Sequence, residues 1–404
     1  MGEGKDKKIT TSELQRELIG NYYLEAKEAH QLQKRVAWVT AAFPVELCYA
    51  MDIIPIYPEN HAAVIGARRM GQTIIEIAQE AGYSQDLCSY ALCDFGSIFS
   101  GQSPIGGLPS PDILLCCNNQ CGTVTKWYEV LRRHFKVPLV VLDAPFIARD
   151  LNHNILNYFK EQLEELISAL EALTGKSLDR DRLKEVLEIS NETSNLWRQY
   201  LEMGTHIPSP ITCFDGFIHM APIVTLRGTL KARDYYQLLI TETKEKLAKR
   251  LSAVSEEKYR LFWDNLPIWF QLRGLAEKFA RHHANIVGAS YTSLWAYSFD
   301  ASEPMETLAW NYCDVLINRG IKDRATFAIQ MLEKYAAHGL VMHSNRSCKP
   351  YSFGQYTIKK IIQEQVGKPS LVLEADICDP RFYQEEQIDE AIDSFFDTLT
   401  ATHN

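Results

Sequence analysis

The chain is predicted to be α/β: two parallel-sheet domains plus a helical segment. Three observations carry this reading. Short apolar strand patterns alternate with helical periodicity early in the sequence, and the same alternation returns near its end. Between them, residues 152–203 are charged and helical throughout. Strands alternating with helices imply right-handed crossovers, hence parallel sheets covered by helices on both faces. The expected divisions are an N-terminal helical segment at 1–35, a first α/β domain at 36–150, a helical layer at 151–205 and a second α/β domain at 206–404.

In order along the chain, residues 10–35 are polar and helix-like. A strand follows at 36–43, and Pro44 beyond it suits a first helical turn, which puts Cys48 near a helix N-terminus. Residues 53–57 form a second strand closed by Pro58-Glu59-Asn60, and apolar positions at helical spacing predict a helix over 61–82. After a Gly/Pro/Ser loop at 96–111 come a strand at 112–117, a helix at 123–135 and a strand at 138–142. The second series has strands at 267–270, 285–290, 340–344 and 370–375, with helices around 271–283, 323–337, 353–365 and 385–399.

Composition narrows the function classes. The chain has 404 residues, is 46% hydrophobic and 23% charged, and carries a formal charge of −9, a balance suited to a folded protein with no affinity for nucleic acid. No apolar run approaches the roughly 20 residues that span a bilayer, and the charged start lacks a signal-peptide core. A cytoplasmic location is expected, where disulfides are disfavoured and cysteines are either buried or bind metal.

The ten cysteines are therefore the chemistry-bearing feature. Cys116, Cys213 and Cys313 read as buried thiols. Cys48, Cys88, Cys117, Cys121, Cys348 and Cys378 are loop-borne, most of them just after strand-like runs. The carboxyl ends of parallel strands open onto one crevice, so distant thiols can meet there. Convergent thiolates suit a soft metal centre, with iron–sulfur ahead of zinc, since zinc prefers two paired C-x₂₋₄-C hooks and the chain has only Cys117–Cys121.

The residues also resemble a known family. Trp38, Phe43-Pro44-Val45-Glu46-Leu47, Tyr57-Pro58-Glu59-Asn60, Leu87-Cys88, Leu115-Cys116-Cys117-Asn118-Asn119 with Cys121, Asn345-Arg346-Ser347-Cys348-Lys349 and Asp379-Pro380-Arg381 are similar to the 2-hydroxyacyl-CoA dehydratase and benzoyl-CoA reductase family. The resemblance spans nearly the whole chain. It implies a cluster between two flavodoxin-like domains, held in the dehydratases by three cysteines that correspond to Cys88, Cys121 and Cys348. It also implies electrons from a separate ATP-hydrolysing 4Fe–4S activator. Cys48 and Cys378, with Cys117 or Cys93, depart from that pattern. Six thiolates point to the double-cubane branch, a homodimer with an 8Fe–9S centre that reduces a small unsaturated substrate. The alternatives are a dehydratase or aryl-CoA reductase subunit with one 4Fe–4S cluster, and a non-catalytic electron carrier. Ala41 stands where the dehydratases have a hydroxyl residue, which weighs against dehydration of an acyl-CoA.

Two further residues are candidates for proton transfer. Glu59 follows a strand beside the inferred cleft, with a helix N-terminal carboxylate as its alternative reading. His343 precedes the Asn345 loop by two residues, with a supporting partner of the cluster or a satisfied core residue as its alternatives. Arg346 and Lys349 flank Cys348 and read either as offsetting a cluster's negative charge or as solvated ends of the loop. The glycine stretch Gly101–Gly107 lacks GK[ST] and GxGxxG, so ATP is assigned to a partner.

Overall fold

The structure, a computed structural model, describes residues 9–403. Among them are two four-stranded parallel sheets. The first contains β1 (Arg35–Val39), β2 (Ile53–Ile56), β3 (Ile113–Cys117) and β4 (Leu139–Leu142), in the order β2-β1-β3-β4. The second contains β5 (Tyr259–Asp264), β6 (Ala284–Ala289), β7 (Gly339–Asn345) and β8 (Ser370–Ala375), in the order β6-β5-β7-β8. Each half thus repeats one topology, second-first-third-fourth, which is the flavodoxin-like order. The α/β expectation is met in both halves.

Central strands covered on both faces must be apolar throughout, and β3, ILLCC, is buried at every position. The helix Gly122–Phe135 brings its apolar stripe, Val124, Trp127, Tyr128 and Leu131, onto this sheet. Cys116 and Cys117 are fully buried at the end of β3.

The sequence reading placed two elements wrongly. No strand forms at 267–270: that stretch is a loop and the short turn Trp269–Gln271, and the central strand lies earlier, at Tyr259–Asp264. Pro267 has no N–H for a strand paired on both sides. Arg260 masked β5 because a buried arginine is atypical of a central strand. Its guanidinium is satisfied by Glu257 Oε1 and the carbonyls of Gly204, His206 and Tyr335. The helix expected at 61–82 is two helices, Pro58–Ala67 and Gly71–Glu80, divided where Arg69 takes a left-handed φ of 58°.

The charged stretch after the first sheet forms two long helices, His153–Thr174 and Arg180–Glu202, each capped by an acceptor side chain, Asn152 and Asp179. Helix Leu230–Ala248 packs on the second of them and on the N-terminal helix Thr11–Lys27. This layer is pinned to the first sheet by a buried ion pair. Arg227 Nε donates to Glu46 Oε1 at 2.8 Å, Nη2 donates to the Tyr312 hydroxyl at 2.7 Å, and Tyr312 donates to Glu46 Oε2 at 2.6 Å. No described helix is long and apolar enough to cross a membrane.

Candidate active site

In an open parallel sheet the binding crevice lies beyond the strand carboxyl ends, where the strand order reverses. Here both sheets direct those ends at the same place. Ala41 and Ala42 follow β1, Gln120 and Cys121 follow β3, Leu266 follows β5 and Cys348 follows β7. All of them line one cavity of about 120 Å³. Cys88 and Glu59 complete its polar wall, and Tyr90, Tyr291, Trp295, Tyr297 and Tyr351 form much of the rest.

Three of the six expected metal ligands, Cys88, Cys121 and Cys348, meet at this cavity. Each occupies the N-cap of a helix, those beginning at Ser89, Gly122 and Lys349. Free backbone N–H groups at a helix start favour a thiolate or other anion. The N–H groups of Tyr90 and Ala91 favour the charged form of Cys88, those of Thr123 and Val124 that of Cys121, and that of Tyr351 that of Cys348. Burial nonetheless dominates and raises all three thiols, Cys348 to about 12, with the neighbouring cysteines adding to the shift at Cys88 and Cys348. A metal that takes these sulfurs displaces their protons.

The other three lie elsewhere in the core. Cys48 is buried in the helix Glu46–Ala50, beside the Glu46 carboxylate. Cys117 is buried at the end of β3, near Cys116 and Cys313. Cys378 is buried against the helix Pro58–Ala67, where its thiol donates to Ala62 O at 3.3 Å, and burial together with the neighbouring Cys93 raises its pKa. None of these lines the cavity. Among the described residues, no three His, Cys, Asp or Glu side chains are close enough to hold a single metal ion. Three thiols lining one cavity are a donor set of the kind that soft metal centres, iron–sulfur clusters among them, use.

Glu59 is the acid of the cavity. Its Oε2 accepts from Ala41 N. With the Gln120 amide oriented to suit both neighbours, Gln120 donates to Oε1 at 2.8 Å and accepts from Ala42 N at 2.8 Å. Burial pushes this carboxyl up to about 8, against the opposing pull of the Ala41 N–H. It therefore holds a proton near neutral pH and can exchange it. The loops around it are braced: Thr40 Oγ1 accepts from Cys117 N at 3.0 Å, and Asn119 Nδ2 donates to Ala42 O at 3.0 Å and Tyr312 O at 2.7 Å.

His343 sits off the cavity, fully buried in β7. Its Nδ1 donates to Leu266 O at 2.7 Å, and burial lowers its pKa to about 4, which keeps the ring neutral. It braces the loop after β5. Arg346 is drawn away from Cys348 by Asp86 at 2.7 Å and lies over the Phe382 ring. Lys349 turns back to the Arg346 carbonyl.

The sequence reading missed Gln120, Tyr291 and Trp295 as lining residues, and the Glu46–Arg227–Tyr312 group behind them. Gln120 stood one residue before a singled-out cysteine and was legible on that ground. Arg227 was not, because its partner is 181 residues away.

A family model described as "2-hydroxyglutaryl-CoA dehydratase, D-component" matches residues 40–399. The chain belongs to the 2-hydroxyacyl-CoA dehydratase family. It is 32% identical to the (R)-2-hydroxyisocaproyl-CoA dehydratase alpha subunit of Clostridioides difficile, over 99% of this chain and 97% of that one. It is 31% identical to the (R)-phenyllactyl-CoA dehydratase alpha subunit of Clostridium sporogenes, over 96% and 95%. It is also 31% identical to one of the benzoyl-CoA reductase subunits of Thauera aromatica, over 95% and 93%. The protein is thus an enzyme component of the dehydratase/reductase type, and the family resemblance drawn from its motifs holds across the chain.

Proposed function

We propose that this chain is a subunit of a 2-hydroxyacyl-CoA dehydratase or aryl-CoA reductase in which Cys88, Cys121 and Cys348 hold one 4Fe–4S cluster. The observation that carries this is the meeting of those three thiols, each at a helix start, on one cavity that also holds Glu59. An 8Fe–9S double cubane would draw on Cys48, Cys117 and Cys378 as well, and their positions off the cavity favour the single cluster. Bound there, the cluster supplies single electrons at low potential.

The protein's own groups do the rest. The helix-start N–H groups offset the charge of the sulfurs and tune the centre. Glu59 gives or takes a proton next to the substrate, and the Ala41 and Gln120 N–H groups fix its carboxyl plane. The aromatic wall of Tyr90, Tyr291, Trp295 and Tyr297 excludes water from a reaction that water would quench. Ala41 brings no hydroxyl to the cavity, so Glu59 and Gln120 carry its polar contacts on that side. Electrons come from an ATP-hydrolysing iron–sulfur activator.

The deciding experiment combines the anaerobically purified protein with such an activator, ATP and a panel of 2-hydroxyacyl-CoA thioesters and aryl-CoA. Formation of an enoyl-CoA or a reduced ring supports the reading. Reduction of the protein with no turnover of any thioester would overturn it in favour of an electron carrier.

A further inference from the structure

A second cavity, of about 200 Å³, opens from the cysteine cavity and shares Ala41, Glu59, Tyr90, Tyr291 and Trp295 with it. Beyond those shared side chains its wall is chiefly aliphatic and aromatic, with Val64 and Ala67 on one helix facing Phe217, Met220, Trp269 and Leu272. It contains no lysine, arginine or histidine, and its one ionisable carboxyl is Glu59. The Arg227 guanidinium stacks on Trp295 and Tyr297 and is consumed by Glu46, Tyr312 and the Ile223 carbonyl. On the opposite side, Leu294, Tyr297 and Val315 border a wider, more polar cleft of about 430 Å³, where Asn311, Gln330 and Arg319 paired with Asp314 and Asp323 stand beside Trp310 and Phe327. The three spaces form a series: a polar cleft, the cysteine cavity, and an apolar pocket.

A CoA thioester fits this series in one sense only, with its polar pantetheine arm in the cleft and its acyl side chain in the apolar pocket. We propose that the pocket selects an uncharged apolar acyl side chain, branched aliphatic or aromatic, and rejects one that carries a second carboxylate. The inference rests on the thioester reading of the site. A dry apolar cavity of about 150 Å³ accommodates a benzene ring, so this pocket has room for one benzyl or isobutyl group. A second carboxylate there would be desolvated and without a cation to pair with.

The test is binding, read by quenching of tryptophan fluorescence from Trp269 and Trp295 or by calorimetry, on the cluster-loaded protein without activator. The probes are 2-hydroxyisocaproyl-CoA, phenyllactyl-CoA and 2-hydroxyglutaryl-CoA, which differ only beyond the hydroxyl-bearing carbon. The first two are expected to bind on the order of a hundred-fold more tightly than the third. Ala67→Arg, at the exposed rim, should narrow that gap by improving 2-hydroxyglutaryl-CoA, and Val64→Trp should weaken the two apolar thioesters. Equal binding of all three overturns the inference and leaves the thioester reading standing. Failure of every thioester to bind overturns both.

Discussion

Arg346 donates to Asp86 at 2.7 Å across the two α/β domains, and each of the pair stands two residues ahead of a cavity cysteine, Cys348 and Cys88. Farther along the same seam, Ser89 Oγ donates to Asp376 Oδ1 at 2.5 Å, and Arg381 reaches Gln79 Oε1 at 3.2 Å. The domains are therefore clasped where the thiols converge. Gly71 belongs to this seam: a Cβ there would stand 2.1 Å from the Cys378 carbonyl oxygen, so only glycine lets the loop after β8 approach.

The Arg346–Asp86 pair is partly exposed, so it contributes at most about 1 kcal/mol to stability. Asp86→Asn should leave the melting temperature nearly unchanged and instead hasten loss of the cluster to a chelator, followed by bleaching of its visible absorbance. Unchanged bleaching would mean that the clasp does not guard the cavity.

Serine substitutions sort the cysteines. Cys88→Ser, Cys121→Ser and Cys348→Ser should each lose most of the bound iron, while Cys48→Ser, Cys117→Ser and Cys378→Ser should keep it. Iron analysis and absorbance of all six variants check this, with circular dichroism to confirm that each has folded.

Glu59 ties stability to pH. Its folded pKa of about 8 lies above the ordinary 4.5, so between those values the folded chain binds the extra proton. Stability from this group is full below the unfolded value and is lost as pH rises toward about 8. Glu59→Gln should remove that loss, so that thermal denaturation of the cluster-free protein shows the variant overtaking the parent as pH approaches 8. It should also lower turnover by about 10²-fold or more. Parallel stability curves for the two proteins would contradict the buried, protonated carboxyl.

Arg227 and Glu46 are both fully buried, so removing one leaves the other uncompensated. Arg227→Met should destabilise the fold by about 3–5 kcal/mol in urea titration, and the pair Arg227→Met with Glu46→Gln should recover part of it. Equal losses in the single and double variants would show that packing, not charge, decides.

Much of this was legible in the sequence. The limits of β8 coincide with the expected strand, and β3, β4 and β6 lie within a residue of theirs. Period and flanking turns suffice where a strand is a clean apolar run. They failed at β5, where Arg260 interrupts the pattern and tertiary partners satisfy it. Which cysteines meet was a different matter. The loops bearing Cys88, Cys121 and Cys348 look no more special locally than that of Cys378, and only the family resemblance singled out the three. Their shared trait is positional: each immediately precedes a helix, as Gly122 and Pro350 beside two of them hint. Convergence itself depends on how two sheets face each other, which local spacing does not encode.

Iron and acid-labile sulfide per chain, measured on anaerobically purified protein, test the central claim most directly. The account predicts about four irons and about four sulfides. About eight irons with sulfide in slight excess would contradict it and assign a double cubane to all six expected ligand cysteines. Zinc in place of iron would remove the redox chemistry altogether.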